Sequence, residues 1–111
     1  IIMTVREMNH VNLIGQMSSD PKFVQLKDGK RIARFSMATR ETYLDDEGNT
    51  KNENNWHRVT AWGKWVPVLE QLGSKGQALA IEGRLRSRFY NNKSGERKSF
   101  TEIEINDMVV L

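Results

Sequence analysis

The sequence predicts an all-β chain, with five strands closing a Greek-key barrel and one short helix joining the third strand to the fourth. Three observations carry this. Five stretches place apolar or small residues at alternate positions, the period of a strand with one buried face. Gly, Asn, Asp and Ser cluster between those stretches. Only one segment, after Gly63, changes to helical spacing.

The first strand runs from Asn9 to Met17, with Val11, Leu13, Gly15 and Met17 on one face and His10, Asn12, Ile14 and Gln16 on the other. "SSDP" breaks it, a short segment covers Phe23 to Leu26, and the "KDGK" turn leads into the second strand, where Ala33, Phe35 and Met37 face inward. Residues 43–55, "YLDDEGNTKNENN", are polar and rich in turn formers, which predicts a protruding flexible finger. The third strand is "NWHRVTAWGKW", in which His57, Val59 and Ala61 mark the core side and Trp56, Arg58, Thr60 and Trp62 the other. Trp65, Val68, Leu69 and Leu72 then follow a helical period, with Pro67 acceptable only in a first turn and Gly73 as the stop. Residues 77–90 alternate again, with Leu79, Ile81, Gly83, Leu85, Ser87 and Phe89 inward and Arg84, Arg86, Arg88 and Tyr90 outward. After the "NNKSGE" turn, the final strand directs Ile103, Ile105 and Val109 inward. This is the element order of an OB-fold barrel, whose second and third strands and connecting loops bind oligonucleotides or oligosaccharides.

A chain of 111 residues fits one domain over its whole length, and no apolar run approaches the ~20 residues that span a bilayer. The opening "IIMTV" lacks the basic start and apolar centre of a secretory signal, and Ile1 and Ile2 are set aside. With no cysteine, disulfides, thiolate metal sites and cysteine nucleophiles are excluded, and the chain reads as intracellular. The formal charge is +3, but residues 84–98 carry six cations against Glu96 alone. A basic stripe on a nearly neutral body points to a phosphate-bearing partner.

The outward set of Trp56, Arg58 and Trp62, then Arg84, Arg86, Arg88 and Tyr90, is aromatic and cationic together, with Arg34 and Lys64 as flanking cations. Aromatic rings stack on bases at about 1 to 3 kcal/mol each, with little regard to sequence, while guanidinium groups hold phosphates. Duplex DNA hides the base faces, so a single strand is the expected partner.

The motifs "NHVNLIGQMSSDP", "FSMATRETY", "NWHRVTAWGK" and "YNNKSGE" after "IEGRLRSRF", in this order, resemble the bacterial single-stranded DNA-binding proteins, or SSB family, over nearly the whole chain. The resemblance implies base-stacking roles for Tyr43, Trp56, Trp62 and Tyr90. Tyr43 and Tyr90 stand where well-known members carry tryptophan, and Trp62 replaces a common phenylalanine. It further implies a homotetramer wrapped by single-stranded DNA without sequence preference, serving replication, recombination and repair at the bacterial nucleoid in the cytoplasm. Family members continue through a linker into an acidic tip that recruits replication and repair proteins. This sequence stops at "INDMVVL", so those partners are expected only where such a tip lies beyond it.

Other readings are weaker. Trp65 and Phe89 are in phase with apolar neighbours and are expected in the core, while Trp56 and Trp62 could instead line an oligomer interface. His57 is expected to be structural. Two histidines leave little for a metal site, and Asp45, Asp46 and Glu47 lack calcium-loop spacing. No nucleophile motif or phosphate-cradling glycine loop appears, so neither an enzyme nor a cofactor is expected. The rivals are an OB-fold primosomal or other assembly module that meets a protein through the aromatic face, and a sugar binder, against which the basic stripe argues.

Overall fold

The computed structural model describes residues 7–111, so Ile1 and Ile2 lie outside the described residues. The elements are β1 (Val11–Met17), β2 (Lys22–Gln25), β3 (Arg31–Leu44), β4 (Thr50–Trp62), α1 (Trp65–Leu72), β5 (Ala78–Asn91) and β6 (Arg97–Val110). The strands run in the order β1-β5-β6-β4-β3-β2, and β1 also pairs with β3 at Gln16 with Ala38 and Met17 with Met37. That second pairing closes a five-stranded barrel. The five predicted strands are β1, β3, β4, β5 and β6, while the short segment near Phe23 forms β2, an extra strand outside the barrel on the edge of β3.

Alternation places the core as expected along most of each strand. Met17, Ala33, Phe35, Met37, Val59, Ala61, Leu79, Ile81, Ile103 and Ile105 are all buried in one cluster, and α1 adds Val66 and Leu69 to it. Full burial of the Val, Leu, Ile, Phe and Met side chains among them contributes about 1.5 to 3 kcal/mol each. The helix is rotated slightly from the predicted face. Val66 is buried, Trp65 and Val68 pack half-buried against the core, and Leu72 is exposed. Pro67 falls in the first turn, where its missing N–H costs no hydrogen bond. The Gly73 N–H closes the helix on the Leu69 carbonyl at 2.9 Å.

Barrel closure explains Gly15. A Cβ at that position would lie 2.2 Å from the Ala38 carbonyl oxygen, because β1 passes directly against β3 as it changes partner from β5. Only a residue without a side chain allows that approach.

Three expectations about the strands are corrected. Val109 faces outward at 55% exposure, and Met108 is buried in its place. The register explains this: Glu82 pairs with Asp107 but Gly83 pairs with Ile105, so Asn106 is an extra residue that reverses the phase of everything after it. Residues 43–55 are a paired hairpin in place of the expected flexible finger. The ladder continues to Leu44 opposite Thr50, and the Asp45 side chain accepts from the Glu47 and Asn49 N–H groups. Their polar composition reflects two solvated faces. Phe89, placed in the core by its phase, is 59% exposed, with the Arg97 guanidinium 4.4 Å from its ring. Leu85 and Ser87 are exposed likewise, because this half of β5 has run past the barrel into a second arm paired with β6. That arm turns at Asn92, whose side chain accepts from the Ser94 and Glu96 N–H groups as Asp45 does in the first. The two arms account for a radius of gyration of 17.0 Å, against about 13 Å for a compact chain of this length.

Candidate nucleic-acid interface

The two strands expected to form the outward face together, β4 and β5, are not neighbours, because β6 lies between them. Cross-strand partners point to the same side of a sheet. On β3 and β4, Arg34 faces Thr60, Ser36 faces Arg58 and Ala38 faces Trp56. The parallel pair sets Thr60 beside Glu104. On β6 and β5, Glu104 faces Arg84, Glu102 faces Arg86, Phe100 faces Arg88 and Lys98 faces Tyr90. One continuous surface therefore crosses four strands and gathers Arg34, Trp56, Arg58, Trp62, Arg84, Arg86, Arg88 and Tyr90.

Their settings differ. Trp56 is 67% exposed and offers an open indole face. Trp62 is half-buried opposite Ile32, which is 1% exposed yet stands apart from the central core, so the indole serves partly as its cover. Among the described residues the buried Trp62 Nε1 finds no acceptor. Arg34 is exposed. Arg58 lays its guanidinium 4.6 Å from the centre of the Phe100 ring, and the Tyr90 ring lies 6.0 Å from the same ring. Lys64 sits past the end of β4 with its ammonium 4.8 Å from the Trp65 ring. Tyr43 is exposed on the first arm, but its phase puts it on the opposite side of the hairpin from Trp56. His57 is held at 2.9 Å by the Thr39 hydroxyl, the structural role expected of it.

The basic stripe is partly neutralised within the chain. Glu102, only 3% exposed, accepts from Arg88 Nε at 2.6 Å and from the Thr60 hydroxyl at 2.8 Å. Glu104 meets Arg84 at 3.3 Å, Arg86 at 3.4 Å and Arg88 at 3.7 Å. Three guanidinium groups thus face two carboxylates, and the excess is smaller than residues 84–98 suggest by themselves. A buried, doubly bonded Glu102 fixes Arg88 in place, while Arg84 and Arg86 keep more than two fifths of their side chains exposed.

Phe100, Glu102 and Glu104 lie on a strand without tryptophan, and they join the face only because β6 pairs with both β4 and β5. Their alternation against Ile103 and Ile105 was readable, but the neighbour of β6 was not. Exposed flat rings beside partly exposed guanidinium groups can hold an extended chain that carries planar groups on anionic links.

Fold and face together define an OB-fold barrel with an aromatic and cationic sheet surface. Residues 8–111 match the Single-strand binding protein family, and the chain belongs to that family. It is 39% identical over 107 residues to the single-stranded DNA-binding protein 1 of Chlorobaculum tepidum, covering 96% of this chain and 66% of that protein. It is 34% identical over 104 residues to the single-stranded DNA-binding protein of Neisseria meningitidis, covering 94% and 60%. The chain thus spans somewhat under two thirds of these relatives' length. Among solved structures, it superposes on a Plasmodium falciparum SSB complex with ssDNA at a TM-score of 0.86, 28% identity and coverage of 98% and 99%. No helix among the described residues is long and apolar enough to cross a membrane.

Proposed function

We propose that this chain binds single-stranded DNA without sequence preference, stacking bases on its aromatic side chains and holding phosphates on its cations, and that it thereby protects exposed strands during replication, recombination and repair. The observation that carries this reading is the surface on which a two-thirds exposed Trp56 shares one face with Arg34 and Arg58. Rings that lie open in the free protein are positioned for bases that lie open in a single strand. The relatives named for single-stranded DNA binding and the neighbour held in complex with ssDNA support the same partner. The reading is of a binding module at the bacterial nucleoid, with no bond made or broken and no cofactor.

The same reading includes self-association into a homotetramer. Its support is a second exposed apolar row, in which Ile14 at 72% exposure pairs with Ala80 and Ala80 with Val109. Such a row, left open to water, favours a second copy. Titration with oligo(dT) tests the central claim. Tryptophan emission should be strongly quenched at low salt, and a duplex of equal length should quench it little. Equal quenching by both, or by neither, would refute it.

A further inference from the structure

Beside Phe100 the outward face sinks into a cleft of about 370 Å³, within the range of about 300 to 1,000 Å³ usual for small-ligand pockets. The buried residues Val59 and Thr60 line it together with Lys22, Arg34, Arg58 and Phe100. Two carboxylates are present too, but both are engaged. Asp20 accepts from the Lys75 N–H at 2.8 Å, and Glu102 is held by Arg88 and Thr60. The cleft therefore offers an aromatic wall and a surplus of positive charge.

The wall has two layers. Phe100 is half-buried and fixed in the β6 ladder opposite Arg88, and the Arg58 guanidinium lies over its ring. Bases stack on aromatic rings and on arginine planes alike. When a phosphate draws Arg58 aside, the ring beneath becomes available; when it does not, the guanidinium plane itself is the stacking surface.

Building on the proposed single-strand binding, we propose that Phe100 is a base-stacking residue, and that the cleft it borders takes one nucleotide of the bound strand, with its base on the Phe100 and Arg58 wall and its phosphate on Arg34 or Lys22. This extends the aromatic track from Trp56 across β6 toward Tyr90, through a strand that the tryptophan positions leave out.

Photocrosslinking of the unaltered protein to a 5-iodouracil oligonucleotide tests this directly. Trypsin places Trp56 in residues 52–58, Trp62 in 59–64, Tyr90 in 89–93 and Phe100 in 99–111, where it is the one aromatic residue. The expected result is an adduct on Phe100 along with one on Trp56. An adduct on the Trp56 peptide with none on 99–111 overturns this inference and leaves single-strand binding standing. No adduct on any peptide while oligo(dT) still quenches tryptophan emission overturns the inference in the same way, and the loss of quenching as well refutes single-strand binding itself. Phe100→Leu, which keeps apolar bulk but loses the flat face, should weaken oligo(dT) binding by about 5- to 150-fold, and Phe100→Tyr should restore it. Undiminished affinity in a folded Phe100→Leu protein overturns the assignment.

Discussion

Glu104→Gln isolates the electrostatic part of the interface. Glu104 is the shared partner of Arg84, Arg86 and Arg88, and glutamine keeps its shape while removing one negative charge. The pairs are partly exposed, so their loss should cost the fold only about 0.2 to 1 kcal/mol each. On the DNA side, a phosphate held by the far edge of one of these guanidinium groups would lie roughly 7 Å from the carboxylate, where at an effective dielectric constant of about 40 to 80 the repulsion is about 0.6 to 1.2 kcal/mol. Removing it should tighten binding about 3- to 8-fold. If an arginine so freed takes one more phosphate, the slope of log affinity against log salt should steepen by about 0.7. The assay is a fluorescence titration over a series of salt concentrations, using an oligo(dT) short enough to engage a single subunit. An unchanged slope and affinity would show that these arginines do not meet phosphates. A fall in affinity would show that Glu104 instead holds them in a binding geometry, and either result refutes the reasoning.

The tryptophans should separate by role. Trp56→Ala should weaken oligo(dT) binding by about 1 to 3 kcal/mol while leaving the melting temperature nearly unchanged, as befits an exposed site. Trp62→Ala should lower both, because uncovering Ile32 adds a stability loss of about 2 kcal/mol, roughly half the cost of removing a fully buried indole; thermal melts alongside titrations check the pair. Gly15→Ala should destabilise the barrel at or above the upper end of the about 1 to 3 kcal/mol range for overpacking, since its Cβ would strike backbone that cannot swing away, and denaturant unfolding reads this directly.

The sequence by itself determined what depends on neighbours along the chain. Side-chain direction in a strand has a period of two, so Val59 and Ala61 had to face away from Trp56 and Arg58 wherever β4 ended up, and the spacing after Gly63 specified a helix of about two turns. The four motifs along the first, second, third and fourth predicted strands, taken in order, were enough to suggest the family, which the matched residues 8–111 bear out. Tertiary structure decided what depends on distant partners. The insertion of β6 between β4 and β5 arises from the pairing of Val59 with Ile103, residues far apart in the chain, and that pairing brings Phe100, Glu102 and Glu104 onto the candidate face. The extra residue at Asn106 buries Met108 and exposes Val109, an inversion that no local pattern announces because a bulge is defined only against its partner strand. Phe89 has the phase of a core residue but is exposed, since phase says which way a side chain points and not whether anything lies there to cover it. The charge of the arginine stripe was likewise legible residue by residue, but its neutralisation was not, because Coulomb attraction acts through space and the carboxylates that answer Arg84, Arg86 and Arg88 come from the far strand of the hairpin.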